Sequence, residues 1–108
     1  MSTHTARTIG LSTFYTTPLA AWVGEDPSDA ERRHRFLTDS LLIHAEGRWS
    51  ETTQDAHDRQ ANADALETGA RVFTAHLDAV TGARVWIITE AVYEGSRAST
   101  CLLFPEDY

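Results

Sequence analysis

The chain has 108 residues, 42% of them hydrophobic and 23% charged, which is enough for one domain with one hydrophobic core. Sixteen acidic residues oppose nine basic ones, so the formal net charge is −7. A surface of this sign repels nucleic-acid phosphates and favours basic partners. We therefore predict a single domain over residues 1–108 that does not bind nucleic acid directly.

The sequence also indicates in which cellular compartment the protein is expected. No apolar segment approaches the ~20 residues of a membrane span, and the N-terminal MSTHTARTIG lacks the apolar run of a signal peptide. The single cysteine, Cys101, has no partner for an internal disulfide and no thiol or histidine spacing for zinc. We expect a cytoplasmic protein with no membrane association, and we expect the small polar residues 1–8 to be disordered.

The N-terminal third begins with an ambiguous segment. Residues 9–23, IGLSTFYTTPLAAWV, mix β-branched and aromatic residues with Pro18, which predicts either a short edge strand or an irregular packing segment. The following GEDPS, residues 24–28, has the composition of a loop.

A first helix is predicted over residues 29–45. Ser28 and Glu31 have the spacing of a capping box, and Gly47 supplies a stop. One apolar face recurs at helical spacing through Ala30, Leu37, Leu41 and His44.

A second helix is predicted over residues 54–67, after the connection GRWSET. Thr53 is its expected N-cap and Gly69 its end. From Glu46 to Glu67 the chain carries six acids and two arginines, so this stretch has a local charge of about −4.

After Gly69 the periodicity changes to that of strands. We predict strands over residues 71–78, 84–92 and 98–104, joined by glycine-bearing turns that suit hairpins. The predicted fold is therefore α+β: two helices followed by a three-stranded antiparallel meander, with a candidate extra strand at the N-terminus.

Placing each hairpin turn at its glycine predicts a register in which Trp86 lies opposite His76 and Phe104, and Glu90 opposite Val72 and Thr100. One face is then uniformly apolar and should be covered by the helices. The other face has an apolar centre, and either the second helix covers it or part of it is an exposed interaction patch. The residues of this second face are Val72, Thr74, His76, Trp86, Ile88, Glu90, Leu102 and Phe104.

Catalytic chemistry finds little support in the residues. His76 and Glu90 are the titratable pair on the second face, but the register separates them by about 13 Å at ~3.3 Å per residue, whereas an acid and base in contact need about 3 Å. Nucleotide-binding, zinc-protease and nucleophile-elbow motifs do not occur. We expect no catalytic residue, no cofactor and no metal site.

The C-terminal part, His44 to Tyr108, resembles a family of short proteins carried by phages, plasmids and integrative elements. The family pattern reads H-x-x-G-D-W-G, then D-x-x-x-N-x-x-A-L-x-x-G-x-R, then a strand followed by G-x-K/R-I/V-W-I-I-T-E-A, and ends R-S-x-T-T-x-L-L-P-x-E/D-Y. The matching residues are His44, Gly47, Trp49, Asn62, Ala65, Leu66, Gly69, Arg71, Gly82, Arg84, the VWIITEA of 85–91, Arg97, Thr100, Leu103, Pro105, Asp107 and Tyr108.

Four positions depart from this pattern. Arg48 and Ser50 stand where the family has Asp and Gly, and Cys101 and Phe104 replace Thr and Leu. The resemblance implies a mobile-element setting and brings no established activity with it.

Three hypotheses follow. In the first, a non-enzymatic protein of a mobile element binds and inhibits a bacterial defence nucleoprotein complex, such as a CRISPR effector or a restriction enzyme, through an acidic surface. In the second, a regulatory or assembly partner, or a homodimer, uses an apolar sheet face. The third is a small metal-dependent enzyme. The expected partner-binding residues are Glu46, Trp49, Glu51, Asp55, Asp58, Asp64, Trp86 and Glu90.

Overall fold

The computed structural model describes residues 12–108, and the prediction for residues 1–8 lies outside this range. Two short 3-10 turns, Trp49–Glu51 and Pro105–Asp107, accompany the regular elements. The helices are α1 (Thr17–Glu25), α2 (Ala30–Ala45) and α3 (Ala56–Thr68). The strands are β1 (Thr13–Tyr15), β2 (Val72–Leu77), β3 (Arg84–Thr89), β4 (Val92–Tyr93), β5 (Ser96–Arg97) and β6 (Thr100–Leu103).

The main sheet has the strand order β1-β6-β3-β2. Strands β2, β3 and β6 form the predicted antiparallel meander, and β1 is the predicted N-terminal strand. Because β1 pairs with β6 in parallel, the sheet is mixed rather than purely antiparallel. The α+β class is therefore confirmed, with three described helices where two were expected. None of the helices in residues 12–108 is long and apolar enough to cross a membrane.

Helix α1 was missed in the sequence because Pro18 was interpreted as a strand-edge residue. Pro18 instead occupies the first turn of the helix, where a missing N–H costs no intrahelical hydrogen bond. The fully buried Leu19 then anchors α1 in the core with Leu37 of α2 and with Ile87 and Leu102 of the sheet. Trp22 packs edge-on between Phe36 and Phe104 at centroid distances of 6.3 and 6.0 Å.

The predicted capping box of the first helix is wrong. Ser28 donates its backbone N–H and its hydroxyl to Asp26 instead, and Asp29 is the N-cap residue without a side-chain cap. The Asp29 carboxylate is held by Arg32 and Arg33 at 2.7 and 3.0 Å. These arginines lower the pKa of Asp29 to about 2.

Arg32 also ties α2 to the turn between β2 and β3. Its two terminal nitrogens bind both carboxylate oxygens of Asp78 at 2.9 and 3.0 Å. Asp78 in turn accepts hydrogen bonds from the backbone N–H of Val80 and the hydroxyl of Thr81, which closes the hairpin. One arginine thus fixes the position of the helix against the hairpin.

The predicted N-cap of the second helix is also wrong. Asp55 is the N-cap of α3, and its carboxylate accepts the backbone N–H of Asp58 at 2.9 Å. Thr53 donates instead to the backbone carbonyl of Ala75, through both its N–H (3.0 Å) and its hydroxyl (3.1 Å). Gly69 ends α3 as predicted, with a φ of 81° that other residues rarely adopt.

The predicted strand register is wrong by one residue. Trp86 lies opposite Ala75 and Leu103, and Thr89 lies opposite Val72 and Thr100. This shift exchanges the two faces of β2 and β6 relative to β3, because successive side chains of a strand point to opposite sides. The segment taken as the second turn contains the additional hairpin of β4 and β5, which moves the start of β6 to Thr100.

The face that the helices cover is therefore partly polar. Its inward side chains are Val72, Thr74, His76, Val85, Ile87, Thr89, Thr100 and Leu102, all buried. The opposite surface, called here the open face, carries Phe73, Ala75, Leu77, Arg84, Trp86, Ile88, Cys101 and Leu103. Helices α1 and α2 pack on the covered face, and the second predicted helix, α3, lies along the outer edge of β2 rather than on the open face.

Side-chain amides close the outer edge of β2. Asn62 of α3 donates to the carbonyl of Phe73 at 2.7 Å and accepts the N–H of the same residue at 3.1 Å. Gln54 donates to the same carbonyl at 2.9 Å. The amide of Asn62 thus takes the place that a neighbouring strand would fill, which protects the edge from pairing with another chain.

We predict that Asn62→Ala lowers the free energy of unfolding by about 1–3 kcal/mol, because it leaves the backbone N–H of Phe73 without its partner and removes one of the two donors to the Phe73 carbonyl. Urea denaturation measures this loss. The matched control is Gln60→Ala, which removes an exposed hydrogen bond to Asp64 on the same helix. Equal stabilities of the two variants would contradict the role of Asn62.

Candidate functional site

A chain of hydrogen bonds lies buried between α2 and the sheet. His44 bonds through Nδ1 to the hydroxyl of Thr74 at 2.7 Å and through Nε2 to the hydroxyl of Thr89 at 2.8 Å. The chain continues from Thr74 to His76 Nε2 at 2.8 Å and from Thr89 to the Thr100 hydroxyl at 2.7 Å. We call these five residues the buried polar chain. With both histidines neutral, either of two proton orders gives each of the four bonds one donor.

Both histidines are held neutral. Burial is the largest cause that lowers the pKa of His44 to about 3, followed by repulsion from His76 when it is protonated and from Arg97. Burial lowers the pKa of His76 to about 4. Lowered values of this kind occur at catalytic sites, but His44 is 0% and His76 4% exposed, so no substrate reaches either ring. The buried polar chain is therefore structural.

The register places His76 opposite Val85, five residues before Glu90, where four residues were predicted. The two residues were expected on one face, and this is wrong: His76 points into the covered face, whereas Glu90 is exposed beyond the end of β3. His34 and His57 are exposed on α2 and α3. Within residues 12–108, no group of three His, Cys, Asp or Glu side chains is arranged to hold a metal ion.

Arg97 is buried beside the C-terminal end of α3. Its guanidinium donates to the carbonyls of Ala65 (3.2 Å), Ala70 (2.8 Å) and Glu90 (3.0 Å). The carbonyl of Ala65 belongs to the last turn of α3, where the helix dipole favours a cation. Burial lowers the pKa of Arg97, and the three carbonyls take the place of a carboxylate partner.

The open face holds a cleft of about 230 Å³, lined by Arg71, Phe73, Trp86, Ile88 and Tyr108. We call it the open-face cleft. Phe73 meets Trp86 edge to face at 5.0 Å, and Tyr108 meets the same indole at 5.7 Å. The Arg71 guanidinium lies 5.6 Å from the centre of the Tyr108 ring, within the range of a cation–π contact. The cleft therefore combines aromatic walls with a cation at its rim.

Arg71 differs from the arginines of α2 and the following turn. Arg32, Arg33, Arg35 and Arg48 each form an ion pair with a carboxylate. Arg71 forms none within residues 12–108, although extending the β2–β3 register by one residue places Glu90 opposite it.

A larger depression of about 370 Å³ lies beside Arg84 and Glu106, but its other lining residues, Gly82, Ala83, Phe104 and Pro105, include a single aromatic side chain.

The predicted acidic residues do not converge on one site. Glu46 and Glu51 both pair with Arg48, at 3.3 and 3.0 Å. Asp58 and Asp64 are six residues apart on α3, which at 3.6 residues per turn turns them about 120° from each other around the helix.

The predicted aromatic residues lie apart as well. Trp49 is half-buried against Gly47 in the turn before α3, whereas Trp86 lies in the open-face cleft.

No family model, no curated protein and no solved structure matches the chain.

Some residues of the quoted sequence pattern lie in these two places, the buried polar chain and the open-face cleft. His44, Thr89 and Thr100 belong to the buried polar chain, whereas Arg71, Trp86 and Tyr108 meet in the open-face cleft. Sequence reasoning named Trp86 but missed Arg71 and Tyr108 as parts of a site. Their meeting depends on the C-terminal turn folding back onto β3, for which the sequence carries no local signal.

We predict that stability falls as the pH is lowered from about 6.5 to about 5. In this window the unfolded chain protonates His44 and His76 near pH 6.5, whereas the folded chain does not. The slope approaches about 1.4 kcal/mol per pH unit for each histidine. Urea unfolding of wild type and His76→Gln measures it, and the variant should lose about half of the slope. His57→Gln, on the exposed side of α3, is the matched control, and an equal loss there would contradict the assignment.

Proposed function

We propose that this protein is a non-enzymatic binding protein of a phage or other mobile element, that it inhibits a bacterial defence complex such as a CRISPR effector or a restriction enzyme, and that its open face makes the contact. The observation that supports this most strongly is the open-face cleft. Half-buried Trp86 and Phe73 lie there beside exposed Tyr108, with exposed Leu77 on the same face. Aromatic residues and arginine are the types enriched in protein–protein interfaces.

The mobile-element setting comes from the sequence resemblance and the type of target from the charge. A net charge of −7 speeds encounter with a complex that exposes a basic nucleic-acid channel, because long-range attraction raises the association rate. On this proposal the acidic residues steer the approach, and the open face supplies the short-range contacts that hold the complex together.

A second candidate is inhibition through the acidic residues themselves, as mimics of nucleic-acid phosphates. The observation that favours it is the surplus of exposed carboxylates around the N-terminus of α3, where Asp55 caps the helix and Glu51 precedes it. Arg48 partly neutralises this surface through its two ion pairs, which makes it a weaker mimic. A third candidate, regulation or assembly through a homodimer of the open face, predicts a concentration-dependent mass in sedimentation.

The proposal is tested by adding a molar excess of the protein to purified CRISPR effectors and restriction enzymes and measuring nucleic-acid cleavage. We expect stoichiometric inhibition of one of them. Trp86→Ala should weaken inhibition at least tenfold, which is the typical loss for a central aromatic interface residue. A triple charge reversal at Asp55, Asp58 and Asp64 should mainly slow association and reduce its salt dependence.

The two variants separate the candidate functions. Loss of inhibition only in the triple charge reversal would favour acidic mimicry over the open face. Unchanged cleavage at a molar excess of protein across the panel would contradict inhibition by either surface. Circular dichroism of both variants controls for loss of the fold, because the Trp86 indole is half-buried and Asp55 caps α3.

A further inference from the structure

We propose that the open-face cleft binds an acidic segment of a partner protein, with an apolar side chain inserted against Phe73, Trp86 and Tyr108 and a carboxylate on Arg71. The inference rests on the proposed function in one respect, that the protein acts by binding another protein. It adds the chemistry of the segment that the cleft recognises.

The size of the cleft fits one side chain. Its volume of about 230 Å³ is below the ~300–1,000 Å³ typical of sites for drug-sized ligands. Phe73 and Trp86 stand on adjacent strands, β2 and β3, so two of the walls are fixed by the sheet. Tyr108 is 69% exposed and forms a third wall. A single apolar or aromatic side chain is therefore the matching occupant.

The rim of the cleft favours a negatively charged group, because it carries the guanidinium of Arg71. Arg71 is exposed and forms a cation–π contact with Tyr108 but no ion pair within residues 12–108. A guanidinium binds carboxylates through two parallel hydrogen bonds, so an acidic group beside the inserted side chain satisfies it. Glu90 directly follows the neighbouring strand β3, and the extended register places its carboxylate opposite Arg71 without an ion pair between them. Removing Glu90 should therefore strengthen binding of an acidic ligand.

The surroundings of the cleft point to a polypeptide rather than a small molecule. The cleft opens onto a surface that continues through Ala75 to exposed Leu77, so residues flanking an inserted side chain find further apolar contacts. Trp, Tyr and Arg are the residue types that contribute most to binding energy at protein–protein interfaces, and all three meet here. A net charge of −7 disfavours nucleic acid, which carries a negative charge on every phosphate, much more than it disfavours a short segment with one or two carboxylates.

The test uses the full chain labelled with ¹⁵N and three end-capped peptides, Glu-Phe-Glu, Lys-Phe-Lys and Glu-Ala-Glu. The readout is the chemical shift of the Trp86 indole N–H. We expect a saturable shift with Glu-Phe-Glu, with a dissociation constant of about 1 mM or tighter. The other two peptides should bind at least tenfold more weakly.

Exposed arginines supply matched variants. Arg71→Gln should weaken Glu-Phe-Glu binding about tenfold. Arg84→Gln, on the same face and also without an ion pair to residues 12–108, should leave it unchanged. Glu90→Gln should tighten it. Equal binding of Lys-Phe-Lys, or equal effects of the two arginine variants, would overturn the charge assignment.

Two further outcomes complete the test. Free phenylacetate binding as tightly as the peptide would overturn the assignment to a polypeptide. A Trp86 signal without a saturable shift would overturn the site itself. These results are independent of nucleic-acid cleavage, so a failure of this inference is distinguishable from a failure of the inhibitor proposal.

Discussion

The rest of the structure depends on one buried set of hydrogen bonds, the chain that joins His44 of α2 to Thr74 and Thr89 of the sheet. Each ring nitrogen of His44 meets a threonine hydroxyl on a different strand, so the helix fixes β2 and β3 together. Leaving a buried polar group without its partner costs about 1–3 kcal/mol. A slip of either strand by one residue would turn these hydroxyls outward and leave His44 unsatisfied. The polar chain therefore selects the register that apolar burial alone leaves open.

This register determines what the surface presents. With Thr74, Thr89 and Thr100 turned inward, the alternating side chains Phe73, Trp86 and Leu103 must lie on the open face. Asn62 then forms hydrogen bonds along the outer edge of β2, and the buried Arg97 donates to backbone carbonyls. The open-face cleft is thus a consequence of the strand register in which the buried polar side chains of the covered face find hydrogen-bond partners. The same side-chain alternation links the stability of the core to the binding surface.

Much of the fold could be predicted from local signals in the sequence. Helix α2 ends near Gly47 and α3 ends at Gly69, because left-handed backbone at these glycines stops a helix. The meander follows from β-branched runs between glycine turns. The register could not be predicted in this way. A count from the hairpin glycines misses the extra hairpin of β4 and β5 and favours an inward apolar face, whereas the actual inward face carries three threonines and a histidine.

The candidate site was predictable only in part, for the same reason. Trp86 was recognised as a surface aromatic residue, but its neighbours Arg71 and Tyr108 join it through strand pairing and a C-terminal turn that are set by tertiary contacts. The predicted acidic residues are exposed except for the half-buried Asp58, but they are dispersed, and two of them are paired with Arg48. Long-range placement, rather than residue type, therefore distinguishes the two candidate surfaces.

The central claim is that the buried polar chain sets the register and so places Trp86 on the open face. Phe73 and Ala75 direct their backbone groups away from β3, toward Asn62 and Thr53, so their pairs with Ile88 and Trp86 bring Cα atoms to about 4.5 Å. Nuclear Overhauser spectra of the protein in solution measure this directly. The account predicts an Hα–Hα cross peak between Ala75 and Trp86. A cross peak between His76 and Trp86 in its place would contradict it.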